Sequence, residues 1–262
     1  MGSRAVVLAL ALAVAGWGQQ KNSDRPLHLD YRGTRGAVAG GTEFATDAGM
    51  RMYYAGGNAV DAGVAAMLAA SVTEFSHFGF GGEAPILVRT REGKVWAIAG
   101  VGTMPKAATA DFFRLHKLQP DETTGPPEEN GLKDWVPVAG ILPVLVPGMV
   151  EAGLVTLREF GTKSFAEAVE PAIELADGFP IDELRTSSIQ RSLKYIMKWP
   201  ASRQVYLPNG RAPRVGEIFR QPELAHTLRS MVEAEKKALA AGATREKAID
   251  AVRDYFYRGE IA

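Results

Sequence analysis

Gly56-Gly57-Asn58-Ala59-Val60-Asp61-Ala62, followed within twenty residues by Gly79-Phe80-Gly81-Gly82-Glu83, is the stretch that decides the fold of this chain. The paired glycines stop one helix, because glycine tolerates the left-handed turn that ends it. Asn58 is a good N-cap for the next, and Asp61 suits the positive end of its dipole. Val60, Val64, Met67, Leu68 and Val72 fall at i, i+4, i+7, i+8 and i+12, one apolar stripe at helical period. The other side is alanine and glycine, which predicts a helix buried on more than one face. The glycine-rich turn then lets this helix approach a strand closely.

The turn leads into Pro85–Thr90 and Val95–Ala99, which flank Arg91-Glu92-Gly93-Lys94 and predict a hairpin. The unbroken Ile86-Leu87-Val88 run predicts a strand covered on both faces. Upstream, Gly36–Ala39 reads as a short buried strand and Thr46–Tyr54 as a helix. Residues 117–136, with Pro126-Pro127 and Glu128-Glu129, read as an exposed loop.

From Pro147 onward the pattern is helical. Val150, Leu154 and Leu157 share a face that ends at Gly161. Ser164 and Glu167 form a capping box. Pro171 predicts the start of a second helix that ends near Gly178. A further helix is expected over 182–198 and a turn at Leu207–Gly210. Pro222 opens a helix with Leu224, Leu228, Met231, Val232 and Leu239 toward the core, and Thr244 caps the last one, to about Tyr257.

With 262 residues, 46% of them hydrophobic, the chain can bury a large core. Thirty basic residues balance thirty acidic ones, which argues against nucleic acid as a partner. Cysteine is absent, so no disulfide or thiol chemistry is available. The four histidines lack metal-binding spacing, so no metal site is expected. One arginine, Arg4, precedes the short apolar run Ala5–Trp17, and Ala13-Val14-Ala15 offers a small-residue cleavage pattern. Residues 1–18 thus read as a signal peptide, which predicts a periplasmic or secreted protein. The run is shorter than the ~20 residues of a spanning helix, so no stable membrane insertion is expected.

Chemistry is less legible. The Gly81-Gly82-Glu83 turn offers either backbone N–H groups to an anion or simply a close approach of helix and sheet. Glu83 is either a pocket acid or a cap for local backbone. Val101-Gly102 leaves the hairpin edge, where substrate contacts and tight exit turns both occur. Ser71, Ser76 and Ser164 have structural explanations, no GxSxG elbow is present, and no catalytic residue is assigned. The residues alone define an α/β domain without a complete catalytic set.

Six blocks in order over residues 36–262 resemble the large subunit of the gamma-glutamyltransferase family. They are Gly56–Ala62, Gly81-Gly82 with its hairpin, Pro105–Thr109, Val146–Leu154, Pro171–Ala176 and Phe256–Ala262. The resemblance implies an α/β (α+β) fold, the αββα sandwich of the N-terminal-nucleophile hydrolases, here incomplete and with a helical C-terminal half. It implies a small subunit from the same precursor, whose N-terminal threonine attacks a small-molecule amide. That threonine lies beyond Ala262, so these residues alone are expected to be inactive. No cofactor is implied. The substrate-binding positions it points to are Val101, Gly102, Gly81, Gly82 and Glu83. Family members carry an arginine and a glutamate where this chain has Val101 and Gly102. Valine cannot donate bidentate hydrogen bonds to a carboxylate, which argues against ordinary gamma-glutamyl specificity. Arg89 and Arg114 are the candidate substitutes. A non-catalytic exported binding or scaffold domain is the alternative.

Overall fold

The computed structural model describes residues 33, 34, 36–116 and 142–262. The leader at 1–18 and the polar loop at 117–136 lie outside the described residues. The elements below belong to the unit Val38–Ala262. Helix α1 (Glu43–Tyr54) leads through Gly56, at φ +80°, into α2 (Ala59–Thr73). Thr42 rather than Thr46 starts α1, accepting from the N–H of Ala45. The strand expected at Gly36–Ala39 does not form, and Val38 instead packs against Met52, Ala62 and Ala65.

Helix α2 is the pivot. Its alanine side meets α1, while Val64, Leu68 and Val72 enter the main core with α4 (Met149–Phe160) and α5 (Phe165–Asp177). Burial on both sides explains its small-residue composition, since backbones approach closely only where side chains are short. Truncating Leu68, which is fully packed, would cost ~2–5 kcal/mol.

Helix α5 corrects the reading of Pro171. The helix runs unbroken through it, from the Ser164–Glu167 capping box to Gly178. Proline removes one backbone bond and costs about 3 kcal/mol in a helix interior. Phe165, Ala168, Val169, Ala172 and Ala176 form one buried stripe across it. Apolar burial of ~1.5–3 kcal/mol for each large side chain outweighs that loss.

Strands β1 (Ile86–Arg89) and β2 (Val95–Ile98) form the expected antiparallel hairpin, with Leu87 opposite Ala97 and Val88 opposite Trp96. Only one face is covered. Val88 is buried, but Leu87 is 76% and Val95 59% exposed, so the expectation of a strand buried on both faces is not met by the described residues. A short helix, α3 (Ala110–His116), follows the hairpin.

The span 182–198 is two helices, α6 (Glu183–Arg191) and α7 (Leu193–Ile196), separated at Ser192. Helix α8 (Pro200–Tyr206) and the short pair β3 (Phe179–Pro180) and β4 (Ile218–Phe219) went unread in the sequence. Helices α9 (Pro222–Ala240) and α10 (Arg245–Arg258) pack on each other, with α9 against α5 and α10 against α4. Leu228, Met231 and Val232 of α9 are buried as expected, whereas Leu239 lies on the surface. Glu235 is also buried. It accepts from the N–H groups of Phe165 and Ala166, each at 2.7 Å, and so closes the start of α5.

Candidate functional site

The hairpin delivers two chain segments to one place. Ala84 N–H donates to Gly100 O at 2.9 Å, extending the β1–β2 pairing toward the glycine turn. The carbonyl of Gly82 accepts from the N–H groups of both Gly148 and Met149, at 3.1 and 2.9 Å, and so joins the turn to the start of α4. The Gly82 N–H is itself used within the turn, donating to Gly79 O. Gly81 is exposed. Glu83 is also exposed and accepts from the N–H of Gly102 at 3.3 Å, a bond across the hairpin exit rather than to local backbone.

Beyond the hairpin, Val101–Thr103 runs alongside Val146–Gly148, with Val146 N–H donating to Thr103 O at 2.9 Å. The approach is close. A Cβ added to Gly102 would lie 2.0 Å from the Val146 carbonyl oxygen, and one on Gly148 would lie 2.5 Å from that of Gly100. Gly102 therefore has no room for a side chain such as glutamate. Val101 is different: it is 55% exposed, and a longer side chain would extend into solvent.

These segments and α10 enclose a cleft of about 260 Å³. Val101 and Gly102 form one wall, with Glu151, Arg253, Tyr257 and Arg258 on the others. Tyr257 braces the cleft. Its hydroxyl donates to Pro147 O at 2.5 Å and accepts from the N–H of Glu151 at 2.9 Å. Burial pushes its phenol above the ordinary range, only partly offset by the Glu151 N–H, so the hydroxyl keeps its proton near neutrality. Arg253 donates from Nε to Glu151 Oε2 at 2.5 Å, and that hydrogen bond holds its guanidinium in the charged form. Arg258 pairs with Asp254 at 3.1 Å.

The cleft thus gathers Val101 and Gly102, with Gly82 and Glu83 bonded to its edge. Neither arginine considered from the sequence reaches it. Arg89 lines a separate apolar cleft between α2 and β1, and Arg114 pairs with Asp111 on α3. Arg253 and Arg258 lie outside the reach of local sequence patterns, because about 150 residues separate them from Val101 and only the packing of α10 on α4 brings them near. The signal available was weak: one arginine within the Phe256–Ala262 block and one three residues before it.

No described side chain in the cleft forms a nucleophile–base pair. Ser76 and His77 do hydrogen bond, at 2.8 Å, but they are adjacent residues on a turn and neither lines this cleft. Among the described residues no group of acids and histidines is placed to hold a metal ion.

The sequence model described as Gamma-glutamyltranspeptidase matches residues 45–262. The Acylase ACY 1 proenzyme of Pseudomonas sp. (strain V22) is 30% identical over 211 residues, covering 80% of this chain and 37% of that protein. The glutathione hydrolase-like YwrD proenzyme of Bacillus subtilis is 30% identical over 213 residues, again covering 80% and 37%. Among solved structures, cephalosporin acylase from Bacillus halodurans superposes with a TM-score of 0.67 at 28% identity, covering 91% of this chain and 41% of that one. The gamma-glutamyltranspeptidase of Helicobacter pylori, at 23% identity and a TM-score of 0.72 over 89% of this chain and 59% of that one, shares the fold. The fold is therefore one that gamma-glutamyltranspeptidases and acylases have in common. The chain belongs to the gamma-glutamyltranspeptidase family. It spans a little over a third of the length of the two curated relatives, 37% in each case.

Proposed function

We propose that this chain is the large-subunit portion of an exported N-terminal-nucleophile amide hydrolase or acyltransferase. The observation that carries the reading is the family match over residues 45–262, joined to a cleft that holds binding groups and no nucleophile of its own. Two relatives are named proenzymes, which supports a processed precursor; the reading adds that this precursor cuts itself and that a small subunit begins with the new threonine.

In this reading the threonine hydroxyl attacks the carbonyl carbon of a small-molecule amide. Its own α-amino group takes the hydroxyl proton, and such amines titrate near neutrality, at about 7.7–8.0. The proton passes to the departing amine, the C–N bond breaks, and an acyl ester remains on the threonine. Water or an acceptor amine then attacks that ester and releases the acyl group. Val101, Gly102, Gly82 and Glu83 form or support the wall against which the acyl group lies, and Gly81 belongs to the turn beneath it. The bare face of the β1–β2 hairpin, with Leu87 and Val95 exposed, is where further strands of an αββα sandwich would pack.

Export rests on the apolar N-terminal run after Arg4. No helix among the described residues is long and apolar enough to cross a membrane.

The test is a denaturing gel of the complete precursor, followed over time, with release of p-nitroaniline from acyl anilides by the product. Splitting into two fragments with anilide turnover is expected. A precursor that stays as one band would instead favour a binding or scaffold domain of the same fold. The isolated 262-residue chain is expected to release no p-nitroaniline, because the attacking hydroxyl belongs to the other fragment.

A further inference from the structure

The cleft presents the apolar side chain of Val101 on one wall, yet it is not without a cation. Arg253 enters from α10 and uses only Nε, which donates to Glu151 at 2.5 Å. Its two terminal nitrogens make no hydrogen bond to any described residue. The side chain is about one-third exposed, at 34%, so the guanidinium is anchored but still reachable.

Anchoring matters for binding. A free surface arginine loses rotamer freedom when it takes a ligand, whereas one already fixed loses little. Glu151 fixes Nε, and Tyr257 fixes Glu151 through its backbone N–H. Tyr257 also bonds Pro147, on the wall that carries Val101. Arg253 is thus tethered to the side chain of a residue whose backbone Tyr257 ties to that wall. What remains open is the end-on fork of Nη1 and Nη2, the face that meets the two oxygens of a carboxylate. Arg258 is a weaker candidate, being exposed and pairing with Asp254 on its own helix.

We infer that Arg253 is the specificity-determining residue of this cleft and binds a carboxylate on the acyl group of the substrate, with Glu151 as its positioning residue. The inference rests on the acyl-transfer reading above. Because the cation comes from α10 and not from position 101, the acyl group lies differently in the cleft from one gripped by an arginine at 101. A lysine at 253 would keep the charge but lose the fork, so it would replace arginine only in part.

The experiment uses the full-length protein after self-cleavage and two p-nitroanilides with five-carbon acyl groups. Glutaryl p-nitroanilide carries the carboxylate, and pentanoyl p-nitroanilide lacks it. Charge-assisted hydrogen bonds correspond to about a 10- to 100-fold preference in kcat/KM for the glutaryl compound. Arg253→Gln is expected to reduce that ratio to within about threefold, and Arg253→Lys to an intermediate value. A ratio unchanged in both variants overturns the assignment. If circular dichroism shows Arg253→Gln unfolded, the lysine variant alone decides in the same way. If the wild-type protein cleaves no anilide, the acyl-transfer reading has failed. Titration calorimetry with glutarate then tests Arg253 separately. Binding that Arg253→Gln abolishes supports the residue's role, and absent or unchanged binding overturns it.

Discussion

Asp61 and Thr162 are joined twice across 101 residues of chain. Thr162 donates from its backbone N–H to Asp61 Oδ1 at 2.8 Å and from its hydroxyl to Oδ2 at 2.7 Å. The N–H groups of Lys163 and Asn58 donate to the same carboxylate, at 3.0 and 2.7 Å. Asp61 is fully buried, so its charge is balanced wholly by hydrogen bonds at the start of α2 and in the α4–α5 connection. Replacing it with asparagine turns an acceptor oxygen into a donor that faces donors. We expect Asp61→Asn to destabilise the full-length protein by about 3 kcal/mol, since unsatisfied buried groups cost ~1–3 kcal/mol each. Urea unfolding monitored by circular dichroism would measure it. A loss under about 0.5 kcal/mol would show that the connection is held by other contacts.

The same carboxylate predicts a pH dependence. Burial pushes its pKa up, but the bonds from Thr162, Lys163 and Asn58 prevail and hold it below the ordinary 3.8. The folded state therefore binds fewer protons than the unfolded state. Its contribution to stability is present above pH 3.8 and is lost as the pH falls through the lower folded value. Glu235 has the opposite sign. Burial is the larger effect there and raises its pKa despite the Phe165 and Ala166 N–H groups, so the folded state favours the protonated form as the pH falls. The gap between wild-type and Asp61→Asn unfolding midpoints should be flat above about pH 5 and close below about pH 4. A gap that widens on acidification would contradict the sign.

Asp61 also shows what sequence alone conveyed. Its place at the third position of α2 gives a capping box with Asn58, and that much follows from spacing. Its bonds to Thr162 and Lys163 do not, because nothing local links residues a hundred apart. The capped helices were legible for the same reason: Ser164–Glu167, Thr244 and Gly56 act within one turn. Pro171 misled because a local breaker was weighed without the buried stripe that spans it. In the candidate site, Val101 and Gly102 were found through a family resemblance, whereas Arg253, Glu151 and Tyr257 join them only through packing of α10 on α4. Leu87 was read as covered because an apolar run does not reveal which chain covers it.

Tyr257→Phe removes one hydroxyl that serves two backbone groups, Pro147 O and Glu151 N–H. With a net worth of ~0.5–1.5 kcal/mol per hydrogen bond, a loss of about 1–3 kcal/mol is expected. The same change should loosen the wall opposite Arg253 and raise KM for an anionic acyl anilide more than it lowers kcat. Equal stability and unchanged KM would mean that the hydroxyl braces nothing.

Gly102→Ala tests the close approach directly. Its Cβ would meet the Val146 oxygen at 2.0 Å and Leu145 Cβ at 3.1 Å, and neither can give way without moving backbone. Overpacking of this kind costs ~1–3 kcal/mol, so a lower unfolding midpoint and weaker anilide turnover are expected together. Wild-type stability and turnover in this variant would mean that the two segments part freely.

Val101→Arg asks the complementary question, because position 101 has the room that 102 lacks. The side chain is more than half exposed, and stability should stay within about 0.5 kcal/mol of wild type. A guanidinium here would offer a carboxylate the fork that valine cannot. If the acyl group passes this wall, gamma-glutamyl p-nitroanilide should gain about tenfold in kcat/KM, the worth of ~1.4 kcal/mol of charge-assisted hydrogen bonding. The gain should fall mainly in KM if the contact is made equally in ground and transition states. An arginine at 101 that leaves gamma-glutamyl turnover unaltered, in a protein that still cleaves other anilides, would place the acyl group away from Val101 and overturn its assignment as a substrate-binding position.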